Sequence, residues 1–378
     1  MDKPQNVHVT SDTQKLHPWM LVYGIDRLAK LLKPSHKQGK QHVFFCICDH
    51  FEPLVGNADH GTGYKRVEQW RNAFPKLAQR YRDSDGCIPK YTFFYPAEEY
   101  QRTHAEMLGD ICNQGCGEVE IHLHHHNDTA ENFRKTILDF KSVLFKEHGF
   151  LSLDKETNEI AYGFIHGNWA LDNARKDGCM CGLNNELTIL RETGCYADFT
   201  LPSAPDSTQT RKINSIYYSI DDPKQPKSHD SGIDAVAGRQ MNDGLLMVQG
   251  PLLFNFRSRK WGIVPRIENG EICHDNTLNN ARIELWLQAG ITVKGREDCI
   301  FIKVHTHGCY PPNAHYLLGG GLDSLFESLQ GLCSKASDTS LHYLSAREMA
   351  NIIKAMEAKR DAGDIMEMKN FRYQQRHK

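Results

Sequence analysis

The chain has 378 residues, 40% of them hydrophobic and 24% charged, with a formal net charge of −2. That length suits one large α/β domain or two smaller ones with an ample core, and the balanced charge gives no reason to expect nucleic acid or an anionic membrane as partner. Twenty histidines are the compositional oddity. Twelve scattered cysteines, an N-terminus without an apolar signal region and no apolar run near ~18 residues point to a cytoplasmic protein with reduced thiols and no membrane span.

In chain order, residues 1–16 read as a loose tail. Leu21, Ile25, Leu28 and Leu32 recur at helical spacing until Lys33-Pro34, which predicts a helix packed through that stripe. The apolar run from Gln41 to Cys48 predicts a buried parallel strand ending on Asp49-His50-Phe51-Glu52. Val67, Trp70, Phe74, Leu77 and Tyr81 mark a long amphipathic helix, Tyr91 to Tyr95 a second strand, and Glu98 to Leu108 a further helix. The third strand carries Val119, Ile121 and Leu123 and runs into His124-His125-His126-Asn127-Asp128. Side chains alternate along a strand, so His122, His124 and His126 are expected on one side and His125 on the other. A helix from Asp128 to His148 follows, with Asp128 and Glu131 at capping-box spacing.

Ile160 to Ile165 predicts a fourth strand ending in His166-Gly167-Asn168-Trp169, and Gly194 to Thr200 a fifth containing Asp198. Residues 205–240 read as a long excursion around a strand at Ile213–Ile220. Leu245 to Val248 is a strand, 255–273 another excursion, and Leu278 to Ala289 a helix. Ile300 to Val304 is the last buried strand and leads to His305-Thr306-His307. A helix around Leu322 to Leu329 precedes a C-terminal helix opened by the capping box Ser345–Glu348 and followed by a polar tail.

Strand and helix alternate about seven times, the pattern of βαβ units and a parallel sheet. Neither a dinucleotide-binding glycine motif nor a P-loop is present. The expected fold is α/β, a distorted (β/α)7, TIM-like barrel with long loop insertions. It would occupy residues 41–340, between an N-terminal tail and helix (1–40) and a C-terminal helix and tail (341–378).

The polar outliers fall at the C-terminal ends of the predicted strands: Asp49 and His50, His124 to Asp128, His166, Asp198, His305 and His307. Parallel barrels build their active sites at that face. Imidazoles and carboxylates together suit a divalent metal with open positions for water and substrate. Cys179 and Cys181, like Cys112 and Cys116, lack a matching second pair at zinc-site spacing and read as free thiols. Glu52 reads as a local salt-bridge partner. Trp169, Tyr196 and Tyr310 are candidate stacking surfaces for a sugar ring.

These strand-end motifs resemble, in order and over roughly residues 42–310, the polysaccharide deacetylase superfamily, the NodB-homology domain of carbohydrate esterase family 4. In that family a strand ends in an Asp pair, a base followed by a metal ligand. Cys48-Asp49-His50 resembles it with one Asp replaced, so Asp49 is base or ligand and His50 takes the other place. Glu120-Ile121-His122-Leu123-His124 resembles the second motif, which implies His124 as ligand and leaves His126 and Asp128 competing for the next position. His166 stands where the third motif has an Arg, Asp198 resembles the fourth motif's Asp, and His305 the acid that ends the last strand, with His307 as alternative.

The resemblance implies a metal-dependent hydrolase that removes an acyl group, acetyl first, from an amide nitrogen of a sugar or sugar conjugate. The catalytic candidates are Asp49, His166, Asp198, His305 and His307; the metal candidates are Asp49, His50, His124, His126 and Asp128. The ion expected first is zinc, with Mn, Fe, Ni or Co as alternatives. A cytoplasmic setting favours a nucleotide-linked or lipid-linked intermediate of surface-glycan synthesis. The expected partner is a carbohydrate or other small amide substrate, and an oligomer stays open. Competing readings are hydrolysis of another C–N or glycosidic bond on the same barrel, or a catalytically degenerate barrel that binds a glycan or a protein.

Overall fold

The computed structural model describes residues 17–32, 39–335, 338–359 and 365–375. The predicted tail at 1–16 lies outside them. After α1 (Pro18–Leu32), strands and helices alternate: β1 (Gln41–His50), α2 (His60–Ala78), β2 (Tyr91–Pro96), α3 (Arg102–Cys112), β3 (Gly117–Leu123) and α4 (Ala130–His148). Then come β4 (Ile160–His166), α5 (Glu186–Glu192), β5 (Cys195–Asp198), β6 (Leu245–Val248), α6 (Asn280–Ala289) and β7 (Cys299–Thr306). The chain closes with α7 (Leu322–Lys335), β8 (Thr339–Leu344) and α8 (Ala346–Glu357). Among the described residues no helix is long and apolar enough to cross a membrane, and no disulfide joins the cysteines.

The main sheet is mostly parallel, in the order β7-β1-β2-β3-β4-β5-β6. It continues antiparallel into Ile216–Ser219, and β8 pairs with the first half of β1. Among the described residues no ladder joins β6 to β7, so strand pairing does not complete the expected barrel. Instead residues 270–272 lie against β7: His305 N–H donates to Gly270 O (3.1 Å) and Ile272 N–H to His305 O (2.8 Å). The sheet is nevertheless strongly curved: Lys303 of β7 donates through Nζ to Phe199 O just beyond β5 (2.6 Å), although four strands stand between β7 and β5 in the order.

β1 is buried on both faces, as a central parallel strand must be. Val43, Phe45 and Ile47 belong to the core shared with Trp70 and Phe74 of α2, Phe133 of α4 and Ile283 of α6. Phe44, Cys46 and Cys48 belong to a second core with Phe94, Tyr196, Val248 and Phe301 from other strands and Met349 and Ile353 of α8. The first face is the outer, helix-covered one; the second is the inner face of the curve.

Four sequence expectations change. The stripe Leu21, Ile25, Leu28 is exposed (64%, 69% and 63%), and α1 packs instead through Trp19 and Tyr23 on Phe254. The N-cap of α4 is Thr129, whose side chain accepts from Asn132 N–H, not Asp128. β8, unforeseen, lies across the expected boundary at 340/341. The excursion at 255–273 contains most of an antiparallel hairpin, Leu253–Lys260 with Val264–Glu268. The capping box at Ser345 and Glu348 forms as expected.

Candidate metal centre

Alternation along the strands sorts the histidines into two groups. On β1 the inner-face parity is Phe44, Cys46, Cys48, His50. On β3 it runs through Glu118, Glu120 and His122 to His124, and on β7 through Phe301 and Lys303 to His305 and His307. His50 is accordingly ringed by three of these: centroids lie 5.0 Å from His122, 6.3 Å from His305 and 4.7 Å from His307. His122 and His124 rings are 4.6 Å apart.

Glu52 is the hub of this group. A tight turn after β1, with Glu52 N–H donating to His50 O (3.1 Å), folds it back over the strand end. Its Oε1 lies 3.2 Å from His122 Nε2 and 3.5 Å from His124 Nε2, and its Oε2 lies 3.7 Å from His307 Nδ1. His50, Glu52 and His122 each offer a ligand atom, all within 4.8 Å of one another.

The tautomers follow from the partners. A carbonyl only accepts, so His122 Nδ1 donates to Ile165 O (2.7 Å), which aims its Nε2 at Glu52 Oε1 (3.2 Å). His124 is held likewise, Nδ1 on Glu98 Oε1 (2.5 Å) and Nε2 inward. His50 Nε2 is buried with no hydrogen-bond partner. A buried polar atom left so costs about 1–3 kcal/mol, and a cation between it and the Glu52 carboxylate would remove that cost. His124 packs flat over Gly167, where a Cβ would lie 2.2 Å from the ring.

Electrostatics agree with that demand. Burial alone would raise the Glu52 carboxyl, but His122 and His307 hold it well below the usual range. Burial, with His307 and His122 beside it, keeps His50 uncharged. Burial also opposes charge on His307, yet Glu52, Glu271 and Asp49 hold its pKa up at about 9. His307 and His124 form the rim, with side chains 27% and 31% exposed. Trp169, in a left-handed backbone conformation (φ 54°), stands edge-on to His307 at 6.4 Å.

Of the predicted residues, His50, His124, His305 and His307 meet here, with His305 buried just beneath. Its Nδ1 has no hydrogen-bond partner, and burial with nearby Lys303 keeps the ring uncharged. Asp49 does not join them. One residue out of phase with His50, it faces the helices, accepting from Gly308 N–H (2.7 Å) and Tyr91 O–H (2.9 Å). Asp198 accepts from Thr200 N–H and Oγ1–H in the turn after β5. His126 has left the strand and accepts from Met180 N–H at the surface. His166 and Asp128 lie on the outer face beside His125. Tyr196 is buried and donates to Glu120, so of the aromatic candidates Trp169 alone stands against this group.

The residues underweighted from sequence are Glu52 and His122. Strand parity was the available signal: it pairs His122 with His124 and separates Asp49 from His50. No protein-family model matches the chain, and no curated protein matches it at the significance required.

Proposed function

We propose that the chain is a divalent-metal-dependent hydrolase that removes an acyl group, acetyl first, from an amide nitrogen of a sugar or sugar conjugate. The observation that carries this reading is the inward Nε2 of His122, fixed by Ile165 O and facing Glu52 Oε1 at 3.2 Å beside the unpartnered Nε2 of His50. Two imidazoles and one carboxylate, open on the side of His124 and His307, are the donor set of a catalytic zinc site. When bound, the ion polarises the amide carbonyl and makes water more acidic.

His50, His122 and Glu52 would hold the ion, with His124 beside them. Glu52 Oε2, which faces His307 Nδ1 at the rim (3.7 Å), would accept a proton from water. His307 carries the proton that the leaving amine needs and lies at the open rim to deliver it. Trp169 offers a sugar ring an apolar edge next to His307. Asp49 keeps a supporting role under this scheme, because both its oxygens are engaged below the site. The strand-end placement and the resemblance to polysaccharide deacetylases support the acyl-amide chemistry. The curved parallel sheet is then an incompletely hydrogen-bonded (β/α)7 barrel, and a reducing cytoplasm favours a nucleotide-linked or lipid-linked sugar.

The test uses protein purified without an affinity tag. Metal content by mass spectrometry and acetate release from free and nucleotide-linked N-acetyl amino sugars are compared for wild type and Glu52→Gln/His122→Ala. The expected result is loss of one metal equivalent and of acetate release together. If the double variant keeps the full metal content of the wild type, the centre does not bind metal and the reading falls.

A further inference from the structure

The outer face of the same strand ends carries a second group that this reading does not use. His125 follows the outward parity of Ile121 and Leu123 on β3, and His166 that of Phe164 on β4. Cys181 comes from the excursion between β4 and α5, and Glu186 from the first turn of α5. Four donors from four segments converge there, all within 4.8 Å of one another. Glu186 Oε1 is 3.2 Å from His125 Nε2 and 3.4 Å from His166 Nε2, and its Oε2 is 3.3 Å from Cys181 Sγ. His166, Cys181 and Glu186 are fully buried.

We propose that His125, His166, Cys181 and Glu186 bind one zinc ion in a closed structural site, distinct from the centre at His50, Glu52 and His122. Three independent features carry this. The first is spacing. A tetrahedral zinc with bonds of ~2.0–2.1 Å to N and O and ~2.3 Å to S sets its ligand atoms ~3.3–3.5 Å apart, and the separations of 3.2 and 3.4 Å to Glu186 Oε1 and 3.3 Å to its Oε2 lie close to that spacing.

The second is orientation. His166 Nδ1 donates to Gly167 O (2.6 Å), which leaves its buried Nε2 as a lone pair aimed at Glu186, and that atom has no hydrogen-bond partner. Asp128 Oδ2 lies 3.1 Å from His125 Nδ1, off line for a hydrogen bond but placed to orient the ring. A carbonyl accepting from the far ring nitrogen, as Gly167 O does behind His166, is what metal-bound histidines use to fix their tautomer.

The third is charge. Zinc displaces the Cys181 thiol proton to solvent; thiolate and carboxylate then cancel its two positive charges, and both imidazoles stay neutral. A neutral assembly is what a dry interior tolerates. The ion would pin the excursion carrying Cys181 against the β3 exit. That contact is already close: Asp128 N–H donates to Cys181 O (2.9 Å), and Gly182, at φ +116°, leaves no room for a Cβ, which would sit 2.6 Å from Asp128 N.

Cobalt(II) distinguishes this site, because only it contains a thiolate among its ligands. Tag-free protein is stripped with a chelator, reloaded with cobalt, and scanned for the near-ultraviolet sulfur-to-cobalt charge-transfer band. Wild type, Cys179→Ser and Glu52→Gln/His122→Ala are expected to give the band, and Cys181→Ser to lose it with one equivalent of zinc. His166→Ala, which leaves the thiol in place, is expected to weaken cobalt binding at least tenfold. Absence of the band from wild type, or its survival in Cys181→Ser, overturns the proposal. Loss of metal in the Glu52→Gln/His122→Ala protein with the band retained separates failure of one site from failure of the other.

Discussion

Asp49 and His50 are neighbours in the chain and face opposite sides of the sheet. Asp49 therefore stabilises the fold from the outer side, where Gly308 N–H and Tyr91 O–H hold it. Replacing it with Ala strands both buried donors, and a buried group left without its partner costs about 1–3 kcal/mol. Asp49→Ala is expected to lower the urea midpoint markedly while metal content stays at the wild-type level. Metal loss without destabilisation would return Asp49 to the ligand set. His307 makes the opposite prediction. As proton donor at the rim, His307→Gln should cut kcat about 10²–10⁴-fold with metal content unchanged, the usual span for removing a general acid. An unchanged turnover number would remove it from the mechanism.

At the scale of elements, α1 is the clearest case of local pattern misleading. Its Leu21, Ile25, Leu28 stripe is helical in spacing but faces solvent, and the docking surface is aromatic: Trp19 stacks on Phe254 at 5.2 Å and Tyr23 meets it edge-on at 5.1 Å. Periodicity predicts a helix and one apolar face; it does not say which side finds a partner. Trp19→Ala removes the anchor, at a cost on the order of 3–5 kcal/mol for a buried Trp. Hydrogen exchange or limited proteolysis should then report opening confined to residues 17–32. Protection unchanged in that helix would mean that Tyr23 suffices. The strand expected at Ile213–Ile220 forms as Ile216–Ser219, whereas the excursion at 255–273 carries too little alternation to be placed from sequence, and the fold anchors its end by pairing residues 270–272 with His305.

For the whole molecule, the buried titrating groups set the pH profile. Burial raises Glu120 to about 8, against hydrogen bonds from Tyr196 O–H and Gly163 N–H, and raises Asp198 to about 7. A folded pKa above the unfolded value contributes stability at low pH that is lost as pH rises through the folded pKa. Burial lowers His42 and His104 to about 4 and His229 to about 3; their contribution is full above about 6.5 and lost as pH falls. Above pH 6.5 the carboxyl slope is left unopposed by these histidines. Metal-free protein should thus lose stability between pH 6.5 and 8, Glu120 alone contributing roughly 2 kcal/mol at ~1.4 kcal/mol per pH unit. Glu120→Gln should be less stable at pH 6 but flatter over that interval in urea titrations. An equally steep variant would assign the slope to other groups.

The amino-acid order alone determined the alternation of strands and helices, the strand-end positions of His50, His124, His305 and His307, and the capping box at Ser345. These depend on neighbours a few residues apart, through period-2 and period-3.6 patterning. Only the tertiary structure decided which of those side chains meet. Glu52 joins His122 because a turn folds it back across the sheet, and Cys181 and Glu186 join His125 and His166 because an excursion and a helix return to the outer face. Such convergence depends on contacts between distant segments, which carry no local periodicity. Curvature also decided that β5 and β7 approach across the inner face, while among the described residues no ladder joins β6 to β7.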